Sequence, residues 1–574
     1  MSEHCTLRID GREVTVPAGS TVLEAAGRLG IRIPTLCHRP GCRPLESCFV
    51  CAVQVVGQTR CVPSCAMPVQ DGMEVITGSP EAAAARRTAV ELLLSDHLGE
   101  CLAPCELACP ATWDIPGFMA AAAAGDVGRA AAIARAGLVL PTVLGYLCPA
   151  GCQKACRRGR RDEPVTIRDL HRFIGAAGGE AWELSDELAG RRVAVVGAGP
   201  AGLAAAVQFW RQGAACTLFD RRGALGGSLL EEDPAGLPRE ALAADTAAIE
   251  VLARAAGGTI ELGTPVDNVP ALREHFEAVI LAVGDASPVA DAPGVFPAGA
   301  CRGKTGTAVR VIADGLAAAR AAADYLRTGR VQAEPAPVNV RYGPLTDEEQ
   351  AIVESRGSAA AAGPVASVAG ARRQAGRCLL CGCREHDRCR LRAVAAEVGA
   401  KPDRYTGRRR PLQRDDSHPT VAYEPHKCIL CGACVAHGGT ARLSIVGRGF
   451  TARIAGPYEA PMAEALGADA EAIADLCPTS AFHRRLPRPR MAYDAIRGLL
   501  LRLLHVLGGH HAVLPDVPRC PRIRQAAGRT AAGRLRAGGR DRRHRHRPPG
   551  RPLGPPAGGA AGGGGGVHGG AGAP

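Results

Sequence analysis

The sequence predicts a multidomain protein of mixed α/β and α+β class. Three observations predict it. A chain of 574 residues and 59.2 kDa is too long for one hydrophobic core, so three or four folded units are expected. RRVAVVGAGPAGLAAAVQFWRQGAACTLFD reads as strand, glycine turn, helix and strand, an α/β opening. TLRIDGREVTV alternates apolar and polar positions around Asp10-Gly11, the hairpin signal of a separate β-rich unit.

Taken in order, residues 1–95 form that β-rich unit, in which Ser20 caps a short helix, STVLEAAGRLG, ending at Gly30. Residues 96–190 are Ala-rich and helical, with cysteines clustered at both ends. Residues 191–330 hold the α/β unit, and 331–376, rich in Pro, Ala and Gly, read as a linker with one helix at 346–355. Residues 377–485 carry two more cysteine groups. Residues 486–574 become an Arg/Gly/Pro-rich tail with too little apolar surface to fold.

The formal net charge of +13 divides unevenly. The segment from Arg484 onward carries +15 and the preceding 483 residues −2, so the folded part is nearly neutral and no nucleic-acid partner is expected. Its apolar runs are short and interrupted by arginine, so no membrane span is expected. No apolar export segment opens the chain, which points to a cytoplasmic location, where 24 cysteines serve as metal ligands rather than disulfides. Aromatic residues make up only 3%, so the cores are expected to be Ala, Val and Leu.

The first cysteine group is Cys37, Cys48, Cys51 and Cys65, with Cys42 and Cys61 as spares. Thiolates converging from a loop suit an iron–sulfur cluster; a zinc site or unligated thiols would use the same residues. PTLCHRPGCRPLESCFVCAVQVV resembles the [2Fe–2S] ferredoxin domain that opens the large iron–sulfur subunit of respiratory complex I and related hydrogenases. That resemblance covers residues 4–95 and implies a β-grasp fold with those four cysteines as ligands.

The second group is two triplets, Cys101, Cys105 and Cys109-Pro, then Cys148-Pro, Cys152 and Cys156. Each has the spacing that stacks thiols on one helix face. The segment resembles the helical domain of the glutamate synthase small subunit, found also in dihydropyrimidine dehydrogenase, which implies two [4Fe–4S] clusters. Two clusters want eight ligands and six cysteines are present. His97, four residues before Cys101, could supply one, as a histidine does in a complex I cluster. His171 lies where the dehydrogenase uses a glutamine ligand. Either histidine could equally be structural.

The third group, Cys378, Cys381, Cys383 and Cys389 in RCLLCGCREHDRC, places four cysteines within twelve residues, enough to enclose one metal. A [4Fe–4S] cluster and a structural zinc both remain open. The fourth group is Cys428, Cys431, Cys434 and the distant Cys477-Pro. It resembles a complex I peripheral-arm segment in which four such cysteines hold one [4Fe–4S] cluster within a ferredoxin-like module.

In the α/β unit, Gly197 permits a tight turn, Gly199 lets backbone approach a pyrophosphate, and Gly202 lets the helix pack closely. Asp220 stands where a carboxylate would accept ribose hydroxyls. Together with Gly227, AVILAVGD ending near Gly284, and GVFPAGACRG with Gly299, this resembles flavin-dependent disulfide-reductase-like domains, which implies FAD on a Rossmann-like fold. The sequence departs from that family twice. Only fourteen residues separate Gly284 from Gly299, where the family inserts a nicotinamide-binding domain, and Ala300 stands where an aspartate usually contacts the flavin.

The resulting expectation is an FAD-dependent oxidoreductase subunit with one [2Fe–2S] and two to four [4Fe–4S] clusters; its catalytic residues are not identified. It would relay electrons to a partner subunit that is NAD(P)H-, formate-, hydrogen- or glutamate-linked. The alternatives are a self-sufficient NAD(P)H-dependent oxidoreductase of the glutamate synthase small-subunit type and a non-catalytic cluster scaffold.

Overall fold

The computed structural model describes residues 3–485 except 40–44, 178–181, 232–235, 285–291, 304–305, 332–337 and 408, and it leaves out the Phe450 side chain. The tail from 486 and the spare Cys42 lie outside the described residues. All the described residues belong to one compact unit.

The chain opens on strands His4–Ile9 and Arg12–Pro17, paired antiparallel with Ile9 opposite Arg12. Asp10 and Gly11, at φ 49° and 75°, supply the left-handed pair such a two-residue turn demands. The Asp10 carboxylate also accepts from the Thr77 N–H at 2.7 Å and its hydroxyl at 2.6 Å, which ties the turn to the far end of the unit. Strands Glu74–Ile76, Ala52–Val55 and Val62–Pro63 complete a mixed five-stranded sheet. The helix Val22–Arg28 is capped by Thr21 and not by Ser20. Only from position 21 does a glutamate, Glu24, fall three residues on, where it can return the hydrogen bond.

Helix Pro80–Asp96 leads into the Ala-rich helices Ile115–Ala124 and Val127–Leu138, then Pro141–Leu147 and Ile167–Ala177. Alanine on the buried faces of the first two lets backbones approach closely, and this core is continuous with that of the α/β unit. There, five parallel strands run in the order Val295–Pro297, Ala278–Leu281, Arg192–Val196, Ala215–Asp220, Thr259–Leu262. Helices Pro200–Arg211 and Ala308–Thr328 pack tightly on each other, since a Cβ at Gly315 would lie 2.2 Å from the Ala201 carbonyl oxygen.

The segment expected to be a linker is packed structure. Its helix Asp347–Glu354 matches the expected position, and a second helix, Val368–Gly376, lies against Ile115–Ala124. Val338, Tyr342 and Val353 are buried. The alanine content that suggested a spacer is what allows the second helix to sit close. Beyond it, strands Val421–Tyr423 and Phe482–Arg484 pair antiparallel, with Tyr423 stacked on Phe482 at 4.3 Å between ring centroids. No single helix among the described residues is long and apolar enough to cross a membrane.

Candidate metal centres and flavin cradle

Among the described residues every cysteine is a free thiol, and those of the four groups gather into sets. Cys48 and Cys51 precede strand Ala52–Val55, Cys65 follows Val62–Pro63 and Cys37 comes from the segment after helix Val22–Arg28; all four are buried. Hydrogen bonds from Cys48 and Cys65 hold the Cys37 thiol down, and one from Cys65 holds Cys51 down to about 6, while the same bonds push the donors Cys48 and Cys65 up, so two of the four are favoured as thiolates. Cys428, Cys431, Cys434 and Cys477 form a second set. Burial, then the neighbouring thiols, push Cys428 up to about 11 and Cys431 to about 12. The Leu430 N–H donates to the Cys428 Sγ at 3.3 Å and the Phe482 N–H to Cys477 at 3.5 Å. Such N–H···S bonds stabilise ligating thiolates.

The other ten thiols do not follow their order in the sequence. Helix Pro104–Ala108 is only five residues long, so Cys101 precedes it and Cys109 caps its end. The expected single face of three thiols is therefore absent: prolines 104 and 110 bracket the turn. Cys109 faces Cys148 and Cys152. Cys105 faces Cys156, Cys378 and Cys381. Cys101 faces Cys383, and Cys389 faces both of those. The third group is thus split between two sets, contrary to the expectation that its four cysteines enclose one metal. Among the described residues no three His, Cys, Asp or Glu side chains converge on a single ion.

His97 and His171 are both buried, which pushes each imidazole down to about 4 and keeps it neutral. The His97 Nδ1 lies 2.9 Å from the Lys427 carbonyl oxygen and the His171 Nδ1 lies 2.8 Å from that of Pro141. A carbonyl only accepts, so Nδ1 carries the proton and Nε2 the lone pair, the tautomer a metal-ligating histidine needs. One feature beyond the sequence reading is Glu424, buried among Lys427, Arg356, Arg414 and His483 beside the cysteine loops. Lys427 and Arg356 hold its carboxyl well below the usual carboxylate range despite its burial. No short motif marks this hub: Lys427 is three residues on, but Arg356, Arg414 and His483 reach it only in space.

The glycines of the α/β unit meet as a cradle. A Cβ at Gly197, φ 105°, would lie 2.3 Å from the Ala282 carbonyl oxygen, and one at Gly202 would lie 1.7 Å from that of Gly197. Gly227 lies against Gly199, where an added Cβ would come within 2.6 Å of the Gly199 Cα. Gly284 and Gly299 take φ 85° and 64°, and the Gly299 N–H donates to Asp314 at 2.7 Å. Asp220 is buried and accepts from the Ala198 N–H at 2.5 Å and the Arg222 N–H at 2.7 Å. It therefore pins the glycine turn, while each oxygen keeps a second lone pair for a ligand hydroxyl. These residues fit a dinucleotide: backbone N–H groups at a helix N-terminus, with Cβ atoms excluded on the approach side.

Three segments of the chain match known families. Residues 2–80 match the family described as a 2Fe-2S iron-sulfur cluster binding domain, 97–181 that of dihydropyrimidine dehydrogenase domain II, 4Fe-4S cluster, and 192–232 FAD dependent oxidoreductase. The NADP(+)-dependent formate dehydrogenase subunit beta of Moorella thermoacetica is 34% identical over 261 residues, covering 40% of this chain and 36% of that protein. The NADP-reducing hydrogenase subunit HndD of Solidesulfovibrio fructosivorans is 50% identical over 103 residues, covering 17% of each. The NAD-dependent dihydropyrimidine dehydrogenase subunit PreT of Escherichia coli is 32% identical over 228 residues, covering 38% of this chain and 53% of that one. The chain thus spans from about a sixth to about half of each of these relatives. The chain therefore carries [2Fe–2S], [4Fe–4S] and FAD-binding domains.

Proposed function

We propose that this chain relays electrons within a larger oxidoreductase, between its flavin, its clusters and a partner subunit. One observation carries the reading: the thiol sets are neighbours in space. Cys37 and Cys48 share a hydrophobic core with Cys431, and Leu45 packs onto Gly432. The Cys389 and Cys383 thiols reach the Pro478 carbonyl and the Ser480 hydroxyl, beside Cys477. Cys101, Cys105 and Cys109 then step through the helical region. A series of adjacent redox sites is what one-electron transfer across a protein requires.

Within it, Cys37, Cys48, Cys51 and Cys65 hold the [2Fe–2S] cluster, on a β-grasp unit like that of complex I. Cys428, Cys431, Cys434 and Cys477 hold a [4Fe–4S] cluster in a ferredoxin-like module. His97 joins Cys101, Cys383 and Cys389 as a neutral fourth ligand. FAD supplies the exchange between two-electron hydride chemistry and single-electron transfer. Gly197, Gly199, Gly202 and Gly227 hold its pyrophosphate, Asp220 its ribose, and Gly284 and Gly299 the loops around the flavin. Strand Val295–Pro297 lies directly beside Ala278–Leu281, so the chain returns where glutamate synthase small-subunit relatives insert a nicotinamide domain. The partner therefore feeds or drains the flavin, as an NAD(P)H-, formate-, hydrogen- or glutamate-linked subunit.

The test is anaerobic. The chain is purified alone, its FAD and iron are quantified, and NADH or NADPH is added while flavin absorbance is followed. The expected result is bound flavin, about ten to eighteen irons per chain, and bleaching by dithionite but by neither nucleotide. Rapid bleaching by one nucleotide would establish a self-sufficient reductase instead, and a chain without flavin would be a cluster scaffold.

A further inference from the structure

We propose that Cys105, Cys156, Cys378 and Cys381 hold one [4Fe–4S] cluster, with ligands drawn from both sides of the flavin-binding unit. The inference rests on the iron–sulfur reading above and assigns ligands that neither order in the sequence nor local spacing would group. Two of the thiols precede the five-stranded parallel sheet in the chain and two follow it.

The first argument is the shape of the loop that brings Cys378 and Cys381. RCLLCG at 377–382 and KCILCG at 427–432 fold alike. In each, the leucine before the second cysteine is left-handed, Leu380 at φ 46° and Leu430 at φ 53°, and so is the glycine after it, Gly382 at 86° and Gly432 at 66°. In each, that leucine's N–H donates to the first cysteine's Sγ, at 3.4 Å and 3.3 Å. A left-handed leucine is unfavourable unless something requires it. Here the turn presents two sulfurs to one site, as the Cys428 loop does.

The second argument is how firmly this loop is held against the helical region. Arg158, nearly inaccessible to solvent, donates through Nη1 to the carbonyls of Ser358 at 2.9 Å and Arg377 at 3.0 Å, and through Nε and Nη2 to Asp162, both at 2.6 Å. Arg377, equally buried, returns Nη2 to Asp162 at 3.0 Å and to the Glu163 carbonyl at 2.8 Å. The Cys383 N–H donates to the Cys101 carbonyl at 3.1 Å, and Gly382 lies so close to Ala103 that a Cβ would come within 2.8 Å of its amide nitrogen. The loop is therefore held beside the segments that carry Cys105 and Cys156, and all four thiols lie on the core that Cys109, Cys148 and Cys152 also join. Arg157 and Arg356 lie close to the Cys381 thiol, as does Glu100, with which Arg157 pairs.

The assignment supplies two of the ligands that the helical domain lacks. Its two triplets lack partners because Cys378 and Cys381 arrive from beyond the flavin unit, while Cys383 and Cys389 go to Cys101.

The experiment uses the full chain made anaerobically with ⁵⁷Fe and read by Mössbauer and EPR spectroscopy, with the [2Fe–2S] signal and FAD content as controls for folding. Each of Cys105→Ala, Cys156→Ala, Cys378→Ala and Cys381→Ala is expected to lose the same signal and about four irons per chain, while Cys383→Ala and Cys389→Ala keep that signal. The inference is overturned if the variants at 378, 381, 383 and 389 all lose one common metal that Cys105→Ala and Cys156→Ala retain. If the alanine variants do not accumulate, Cys378→Ser and Cys105→Ser replace them. Both are then expected to shift the g-values of the same signal, and shifts in two different signals would overturn the assignment. A wild-type chain with no iron would defeat the relay reading as well, whereas iron partitioned otherwise defeats this inference alone.

Discussion

Asp245 is a buried carboxyl whose Oδ2 accepts from the Val143 N–H at 2.9 Å, and burial raises it from 3.8 to about 6. The folded chain therefore holds a proton that the unfolded chain has lost, so stability falls as pH rises through the window from about 4 to about 6. Asp245→Asn keeps an acceptor for Val143 and removes the titration. The variant should gain about 1 kcal/mol more over wild type at pH 7.5 than at pH 5, as read by urea unfolding of the anaerobic holoprotein. A second residue-scale outcome concerns the flavin cradle. Gly202→Ala places a methyl in the Gly197 carbonyl and should abolish flavin retention, whereas Gly223→Ala, in open space, should not. The flavin-to-protein ratio after gel filtration reads both. At this scale much was legible in the sequence: ligand type, thiol density and the glycine turn are chemical facts about single residues or short runs.

Among elements, the Arg158–Asp162–Arg377 network turns a chain segment into part of a metal site. Arg377→Ala would leave the Glu163 carbonyl without this donor and the Asp162 carboxylate with Arg158 alone. The expected result is loss of about four irons with the [2Fe–2S] signal retained, measured by iron analysis and EPR. The sequence was only partly legible here. The glycine-turn helix and the Asp10-Gly11 hairpin follow from local rules, and the helix at 346–355 was found within a residue of each end. The cap at Thr21 was missed because Ser20 is an equally good cap until the glutamate three residues on is weighed. The Cys101, Cys105 and Cys109 triplet was read as one helix face, although Pro104 and Pro110 already limited that helix to a single short turn.

For the whole molecule, several sets take thiols from segments far apart in the chain, so metal should act as long-range crosslinking. Anaerobic chelation of iron is expected to expose residues 338–383 to limited proteolysis before the 191–330 unit, whose parallel sheet takes no metal ligand. Cleavage mapped by mass spectrometry, with and without chelator, checks this; equal susceptibility in both states would mean that packing alone holds the segment. The buried Glu424 hub offers a second check. Lys427 is buried beside the Cys383 and Cys101 thiols, and its charge favours the reduced, more negative state of a cluster there. Lys427→Met should therefore lower the midpoint potential of one cluster in an EPR-monitored titration, and an unchanged set of potentials would remove the hub from that role.

By itself the sequence determined the cofactor classes, because a ferredoxin loop, a C-x2-C pair and a glycine turn each work through residues a few positions apart. It also placed the charge, which belongs to the tail. Only the tertiary structure decided which thiols face one another. Closing a loop of two hundred residues costs little more than closing one of fifty. Spacing therefore carries no information about which distant segment completes a site, and Cys105 meets Cys378 only because helix Val368–Gly376 and two buried arginines bring that segment back.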